Sequence, residues 1–136
     1  MLKARKERYA GKIELARERI SNIQEWVSEK LELKSRLACL KAFQELAEAL
    51  TDITAMICAD SKKQVKDDSS NIEKLAELKI IDGKNANALK EANGLRNRIV
   101  HEYNGLSFEI FSANTARLLE GSEIFLEAVE QWLKKQ

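Results

Sequence analysis

The stretch IELARERISNIQEWVSEKL, residues 13–31, indicates the fold class of the chain. Its apolar side chains return every three or four positions, which is the period of one face of an α-helix. The members of this stripe are Ile13, Ala16, Ile20, Ile23, Val27 and Leu31. Neither glycine nor proline interrupts the stretch, so nothing in it favours a turn. The pattern predicts a long amphipathic helix from Lys3 to about Leu31.

The same spacing continues in the next part of the chain. A second helix is predicted to begin near Ser35, which is a good N-cap residue. Its apolar face consists of Leu37, Leu40, Phe43, Leu46, Ala47, Leu50, Ile53 and Ile57. The polar segment 61–70 follows as a linker. Ser70 and Glu73 have the spacing of a capping box, which predicts the start of a short helix at this point.

Turn residues divide the rest of the chain into two more long helices. The Asp-Gly pair at 82–83 predicts a turn with a left-handed glycine, and Asn85 is the predicted cap of a helix over about 86–105. Ser107 is the predicted cap of a last helix that reaches about Lys134. The core candidates of this helix are Phe108, Phe111, Leu118, Leu119, Phe125, Val129 and Leu133.

These helices together predict an all-α fold, an up-and-down bundle of four long helices with a short helix inserted, in one domain over residues 1–136. The chain contains no proline and five glycines, and so few helix breakers favour long helices. Hydrophobic residues make up 44% of it and charged residues 33%, a balance that suits one packed domain.

The distribution of charge gives no overall case for nucleic-acid binding, because the formal net charge is only +1. Residues 1–12 carry five basic side chains and one acidic one, whereas residues 106–130 carry five glutamates and one arginine. A basic N-terminal run of this kind is more often a solvated helix start than a phosphate-binding arm.

Composition also bounds the metal chemistry and the location of the protein. Cys39 and Cys58 lie in apolar helical stretches without a CxxC spacing, so they are predicted to be small buried side chains. We expect no metal site and no cofactor. The N-terminus has no apolar run of signal-peptide type, and no stretch approaches the length of a membrane span. The sequence therefore predicts a cytoplasmic protein that does not enter a membrane.

One segment, LRNRIVHEYNG at 95–105, concentrates polar chemistry and contains the only histidine of the chain. On a helix, Arg96 falls on the same stripe as the apolar residues around it. The other members of that stripe are Leu89, Ala92, Ile99 and Tyr103. A guanidinium on a core-facing stripe is costly unless it is paired, reaches solvent or lines a cleft.

His101 does not share the face of Arg96. It lies about 140° around the helix from Arg96 and one turn beyond Asn97. Arg96, Asn97, His101 and Tyr103 therefore surround a helix end, an arrangement that suits a cleft shared with another helix or another subunit.

Histidine and arginine together supply a definite chemistry. Histidine can take a proton from a hydroxyl or give one to it, and arginine can hold a phosphate and stabilise its developing charge. This is the minimal set for cleaving RNA through its own 2′-hydroxyl without a metal. From residue types alone, however, a lone histidine near a helix end is more often a C-cap, Arg96 could be ordinary surface, and core packing is the default for Tyr103. The residue types alone leave both interpretations open.

The order Arg96-Asn97, three residues, His101-Glu102-Tyr103 matches the pattern R-N-x-x-x-H-x-Y. In this motif and in its helical layout, the chain resembles HEPN domains of the HepT-like toxin type. The resemblance covers two long helices, a polar insertion with a short helix, the motif helix and a last amphipathic helix.

The resemblance implies a homodimer whose two motif helices form one cleft, acting as a metal-independent endoribonuclease toxin. The partners it implies are an MNT-type nucleotidyltransferase antitoxin and an RNA substrate, with tRNA as one candidate. Arg96 would stabilise the scissile phosphate, His101 would act as general acid or base, and Asn97 would orient one of them. Tyr103 would be the tyrosine to which the antitoxin adds AMP.

HEPN domains also resemble the helical substrate-binding partners of small nucleotidyltransferases. In that alternative the chain binds a nucleotide or the transferase in the same cleft and cuts nothing. A purely structural helical dimer is the third interpretation.

Overall fold

The computed structural model describes residues 1–27, 32–102 and 108–136. Within these ranges the chain forms five helices and no strand, so the all-α prediction is confirmed. The helices are α1 (Lys3–Val27), α2 (Leu33–Asp60), α3 (Asp68–Glu77), α4 (Gly83–Glu102) and α5 (Phe108–Lys134).

The four long helices alternate in direction around one core. α1 packs against α2 and α5, α4 packs against the same two helices, and α3 packs against α2 and α4. Ion pairs Arg19–Glu45 and Lys12–Asp52 require α1 and α2 to be antiparallel. The pair Arg117–Glu91 and the bond from Asn85 to Gly121 require the same of α4 and α5. The predicted up-and-down bundle with an inserted short helix is the observed one.

The buried faces follow the predicted stripes. Of the first stripe, Ile13, Ala16, Ile20 and Ile23 are buried, Val27 is half-buried, and Leu31 lies outside the described residues. Across the centre, Phe43 of α2 meets Phe111 of α5 edge to face, with ring centroids 5.6 Å apart. One predicted core residue, Leu37, is instead 48% exposed.

The predicted caps of α2 and α3 are wrong. α2 begins at Leu33, after Glu32 in extended conformation and without a side-chain cap, so Ser35 lies inside its first turn. α3 is capped by Asp67, whose carboxylate accepts bonds from both the backbone N–H and the hydroxyl of Ser70. A carboxylate that accepts two bonds from one residue outcompetes the Ser70 hydroxyl as a cap.

The turn before α4 also differs from its prediction. Gly83 is not left-handed but is the first residue of α4. The cap is Asp82 rather than the predicted Asn85, since Asp82 Oδ1 accepts the Asn85 N–H at 2.7 Å. The left-handed residue is Lys79, with φ 60°, where the end of α3 is closed by a bond from the Ile80 N–H to Leu75 O. The predicted caps at 104–105 and Ser107 lie outside the described residues.

The two cysteines behave as predicted. Cys39 and Cys58 are fully buried and form no disulfide. Among the described helices, none combines the length and the apolar content needed to cross a membrane.

Candidate functional site

The N-terminal half of α4 is fixed to α5, which determines where the motif lies. Asn85 is buried and donates its Nδ2 to Gly121 O at 2.9 Å. Ala88 approaches Gly121 so closely that a Cβ built on the glycine would lie 2.9 Å from the Ala88 Cβ. The motif occupies the opposite, C-terminal end of the same helix, beside α3.

Arg96 lies on the buried stripe, as the spacing predicted. Its neighbours one turn away, Ala92 and Ile99, are 3% and 5% exposed, and the arginine side chain itself is 22% exposed. Its Nη2 lies 3.8 Å from Asp68 Oδ2 in the first turn of α3, a distance of an ion pair without a hydrogen bond. Its Nε is buried and has no hydrogen-bond partner.

Sequence reasoning missed two residues beside this arginine. One is Asp68, which the fold brings to Arg96 because α3 runs antiparallel to α4; the pair Lys90–Glu73 gives the same register. The other is Asn93, three residues before Arg96 on α4, whose Oδ1 is buried without a partner. The i, i+3 spacing to Arg96 could have indicated Asn93, whereas nothing in the sequence pattern indicated Asp68.

Asn97 and His101 lie on the open side of the helix. Both are exposed, they are one turn apart, and His101 is in the last turn of α4. The structure thus brings Asn97 and His101 together on one face and directs Arg96 towards α3, in agreement with the angular separation predicted from the sequence. Tyr103, the fourth predicted site residue, lies outside the described residues.

Large apolar side chains are exposed around this end of the bundle. Arg36 of α2 lies over the ring of Phe108, the first residue of α5, at 5.6 Å, so the start of α2 and the start of α5 meet here. The exposed members are Leu33, Leu37, Val100 and Ile110. Solvent-exposed apolar residues gathered around a polar motif are typical of a surface that another molecule covers.

Other parts of the molecule offer less. A cleft of about 720 Å³ lies between α1 and α5, but its arginine, Arg17, is already bonded to Glu123 and Glu130. The hydrogen bond with Glu130 raises the pKa of Arg17, so this guanidinium is committed to internal partners. Within the described ranges, no three histidine, cysteine, aspartate or glutamate side chains gather in a way that could hold a metal ion.

Two members of the basic N-terminal run pair with carboxylates of α2. Arg5 Nε donates to Asp60 at 2.8 Å, and Lys12 donates to Asp52 at 2.7 Å. These pairs join α1 to α2, which agrees with the interpretation of the run as a helix start rather than a phosphate-binding arm.

Comparison with known proteins covers nearly the whole chain. The model of the family described as HepT-like ribonuclease matches residues 7–129. A candidate RNase of Archaeoglobus fulgidus is 39% identical over 131 residues, which is 96% of this chain and 97% of that protein. A second candidate RNase of the same organism is 35% identical over 126 residues, covering 93% and 94%.

Solved structures show the same fold at lower identity. The HEPN toxin of Shewanella oneidensis, tri-AMPylated and in complex with an MNT antitoxin, has a TM-score of 0.84 at 23% identity, over 90% of this chain and 96% of that chain. A chain of the toxin–antitoxin pair MntA–HpeT has a TM-score of 0.82 at 23% identity, over 90% and 97%. On the family match and the full-length relatives, the chain belongs to the HepT-like family of HEPN proteins.

Proposed function

We propose that the protein is the toxin of a toxin–antitoxin pair and cleaves RNA as a metal-independent endoribonuclease. The observation that carries the proposal is the position of Arg96: a guanidinium on the buried stripe of α4, still 22% exposed, five residues from the exposed His101. The near full-length similarity to two candidate RNases supports the same chemistry.

The reaction needs only the RNA and these side chains. The 2′-oxygen of the ribose attacks the adjacent phosphorus and the bond to the 5′-oxygen breaks, leaving a 2′,3′-cyclic phosphate and a 5′-hydroxyl. One proton leaves the 2′-hydroxyl and one is given to the 5′-oxygen, both of which are tasks for an imidazole. Arg96 binds the phosphate and stabilises its added charge, and Asn97 orients the histidine or the phosphate.

A homodimer explains why Arg96 and His101 of one protomer lie on different faces of α4. Two motif helices that meet at the end of the bundle bring two arginines and two histidines to one cleft, so the acid and base roles can fall to different protomers. The exposed apolar side chains around the motif, among them Val100 at 41%, supply the contact surface. A cleft at such a contact would take a single RNA strand.

The proposed control is modification of Tyr103 by an MNT-type nucleotidyltransferase antitoxin. The tyrosine oxygen bonds to the α-phosphorus of ATP, pyrophosphate leaves, and an AMP group remains. This anionic group would fill the cleft and repel the RNA phosphate. Support comes from the solved complex of an AMPylated HEPN toxin with an MNT antitoxin, a protein with the same fold.

Cleavage of a mixed tRNA preparation in EDTA tests the proposal. Wild type is compared with Arg96→Ala, His101→Ala and the control Arg117→Ala, which removes an exposed arginine that is paired with Glu91 on the far half of α4. We expect wild type and the control to cleave, leaving cyclic phosphate ends, and each motif variant to lose at least about 100-fold in rate. The intact mass of every preparation is recorded.

Each other result has a distinct meaning. Cleavage by His101→Ala at the wild-type rate overturns the catalytic assignment. Absence of cleavage by wild type of unmodified mass overturns the ribonuclease function and favours a nucleotide-binding partner of a nucleotidyltransferase. Expression without the antitoxin separates these two functions, since only the toxin function predicts growth arrest.

A further inference from the structure

We infer that Asn93 and Asp68 are positioning residues that together hold the guanidinium of Arg96. Asn93 does so from the preceding turn of α4, through Nε, and Asp68 from the first turn of α3, through Nη2. The consequence for catalysis rests on the proposed function, whereas the contact itself does not.

Two buried polar atoms near the motif lack partners and complement each other. Arg96 Nε is an N–H donor and Asn93 Oδ1 is an acceptor, and neither is reached by solvent. Buried polar groups in folded proteins are almost always hydrogen-bonded, because an unpaired one loses its water without compensation. Side chains three residues apart on a helix are neighbours, so rotation of the two side chains can bring this donor and this acceptor together.

A water molecule in a small cavity beside Asn93 would be a competing partner for its side chain. A cavity of about 10 Å³ between α2, α3 and α4 is lined by Asn93, Thr51 and Thr54 among mostly apolar side chains. The hydroxyls of both threonines already donate to carbonyls of α2, to Glu48 O and Leu50 O. A water in this cavity could bond Asn93 Oδ1, but it would leave the Arg96 Nε without an acceptor. The direct contact with Arg96 satisfies both atoms at once.

The other end of the guanidinium faces Asp68. Asp68 Oδ2 lies 3.8 Å from Arg96 Nη2, and its side chain is 38% exposed. This ion pair is long and reached by water, so it directs the guanidinium without binding it tightly. With Nε held on α4, a phosphate can replace Asp68 at the Nη edge while the arginine keeps its direction. The fork of the guanidinium is then already oriented when RNA binds, which lowers the barrier through correct placement.

The experiment follows the Nε–H of Arg96 by proton–nitrogen NMR on the full chain, with the signal assigned by its loss in Arg96→Lys. We expect slow exchange of this proton with water in wild type and at least about tenfold faster exchange in Asn93→Ala. Asn93→Asp keeps an acceptor at the same place and should keep the exchange slow. The control Asn87→Ala removes an exposed asparagine of the same helix and should change nothing.

The same variants are then compared in RNA cleavage. Asn93→Ala should lower kcat by about tenfold and change KM less than twofold, because a misdirected arginine acts on the transition state. Asn93→Asp should restore most of kcat. Asp68→Asn should change KM rather than kcat, since the phosphate takes the place of that carboxylate.

Unchanged exchange of the Arg96 proton in Asn93→Ala overturns the inference, whatever the RNA assay gives. Because the exchange measurement needs no RNA, a wild type that cuts nothing would refute the proposed function and leave this result standing. Should Asn93→Ala fail to fold, proton exchange is compared between Asn93→Asp and Asn93→Ser. This pair tests the same contact, since serine is too short to reach the Nε.

Discussion

Tyr9 donates its phenolic hydroxyl to Asp60 Oδ2 at 2.6 Å, and Arg5 Nε donates to the same oxygen at 2.8 Å. This cluster joins the start of α1 to the end of α2, with Tyr9 fully buried and packed edge to face on Trp132 of α5. Burial opposes the charge on Asp60, but the bonds from Arg5 and Tyr9 outweigh it and lower the pKa of the carboxyl. Burial, and then the bond to Asp60, raise the pKa of Tyr9.

The cluster predicts an acid-sensitive contribution to stability. A carboxyl whose pKa is lowered in the folded state stabilises the fold above its unfolded pKa of about 4, and this contribution is lost as the pH falls through the lower folded pKa. In Tyr9→Phe we expect the free energy of unfolding at pH 7 to fall by about 1–2 kcal/mol. The variant should also lose less stability than wild type between neutral and acid pH, because the pKa of Asp60 returns towards its ordinary value.

Urea unfolding at pH 7 and pH 3 measures both effects. Asp52→Asn is the control, because it removes an exposed carboxylate that pairs with Lys12 between the same two helices. This control should change stability by no more than about 0.5 kcal/mol at either pH. Equal losses of stability on acidification in wild type and Tyr9→Phe would contradict the role given to Asp60.

The close contact of α4 and α5 predicts opposite effects of one substitution at two glycines. Gly121→Ala places a methyl group 2.9 Å from the Cβ of Ala88, so the helices must separate, at a cost of about 1–3 kcal/mol. Gly11→Ala lies on the exposed side of α1, where an added Cβ meets nothing within 4 Å. It should stabilise the protein by about 0.5–1 kcal/mol, because alanine is the better helix former.

Thermal and urea unfolding of the two variants test this contrast. The double variant Ala88→Gly with Gly121→Ala moves the methyl group to the other helix and should recover part of the loss, giving a favourable coupling in the double-mutant cycle. A Gly121→Ala protein as stable as Gly11→Ala would show that the two helices separate without cost.

We expect the hydrogen bonds of Asn71 to stabilise the segment between α2 and α3. Its buried amide accepts the Lys66 N–H at 2.8 Å and donates to Lys66 O at 3.1 Å, so one side chain satisfies both backbone groups of a residue in the linker. In Asn71→Leu we expect a loss of about 1–3 kcal/mol and faster trypsin cleavage after Lys63 and Lys66.

The control for Asn71→Leu is Asn114→Leu, which changes the same residue type on α5, where the side chain bonds to Ile110 O and Arg117 of its own helix. Its trypsin pattern in the linker should match wild type. Cleavage of the linker at the same rate in both variants would show that the bonds to Lys66 do not hold the segment.

The exposed apolar end of the bundle predicts how the protein associates. Val100 lies on α4 between Arg96 and His101 and is 41% exposed. In Val100→Asp we expect the proposed dimer to dissociate at concentrations at least about 100-fold higher than for wild type, because a carboxylate would lose its water in the contact. Ile124→Asp, at a 48% exposed position in the middle of α5, is the matched control.

Light scattering over a dilution series measures this association. A monomeric Val100→Asp protein that has also lost RNA cleavage, beside a dimeric and active Ile124→Asp, is the expected pair of results. A wild type that is monomeric throughout would refute the shared cleft, and a dimeric Val100→Asp would move the contact to another face.

The number and the buried faces of the helices were predictable from the sequence because one physical signal repeats along them. A helix that packs on one side must bury a residue every three or four positions, and stripes such as the one on α1 keep that period over many turns. The prediction that Leu37 is buried is wrong because this residue lies in the second turn of α2, at the end of the bundle, where no described helix covers it.

Helix ends were harder to predict because several residues compete for each capping position. Asp67 and Ser70 are both good caps, as are Asp82 and Asn85, and each pair is three residues apart, so either member could bond the other. In both cases the earlier aspartate accepts the N–H of the later residue. The left-handed conformation of Lys79 could not be predicted from the sequence, since the closing bonds at the end of α3 impose it.

The candidate site was also predictable only in part. The position of Arg96 on a buried stripe and the opposite faces of Arg96 and His101 follow from helical geometry alone. The neighbour Asp68 comes from a different helix, and the register of α3 on α4 depends on side-chain packing that no periodicity encodes.

The burial of both cysteines opens a route to measuring the motif helix in solution. Cys58 donates to Asn71 O at 3.6 Å, and burial raises the pKa of its thiol, so little reactive thiolate forms. Gly94 is exposed two residues before Arg96, with open space around its missing Cβ. A Gly94→Cys protein should therefore accept one spin label per chain without removal of the native cysteines. In the proposed dimer, the distance between two labels would report how far apart the motif helices lie with and without RNA.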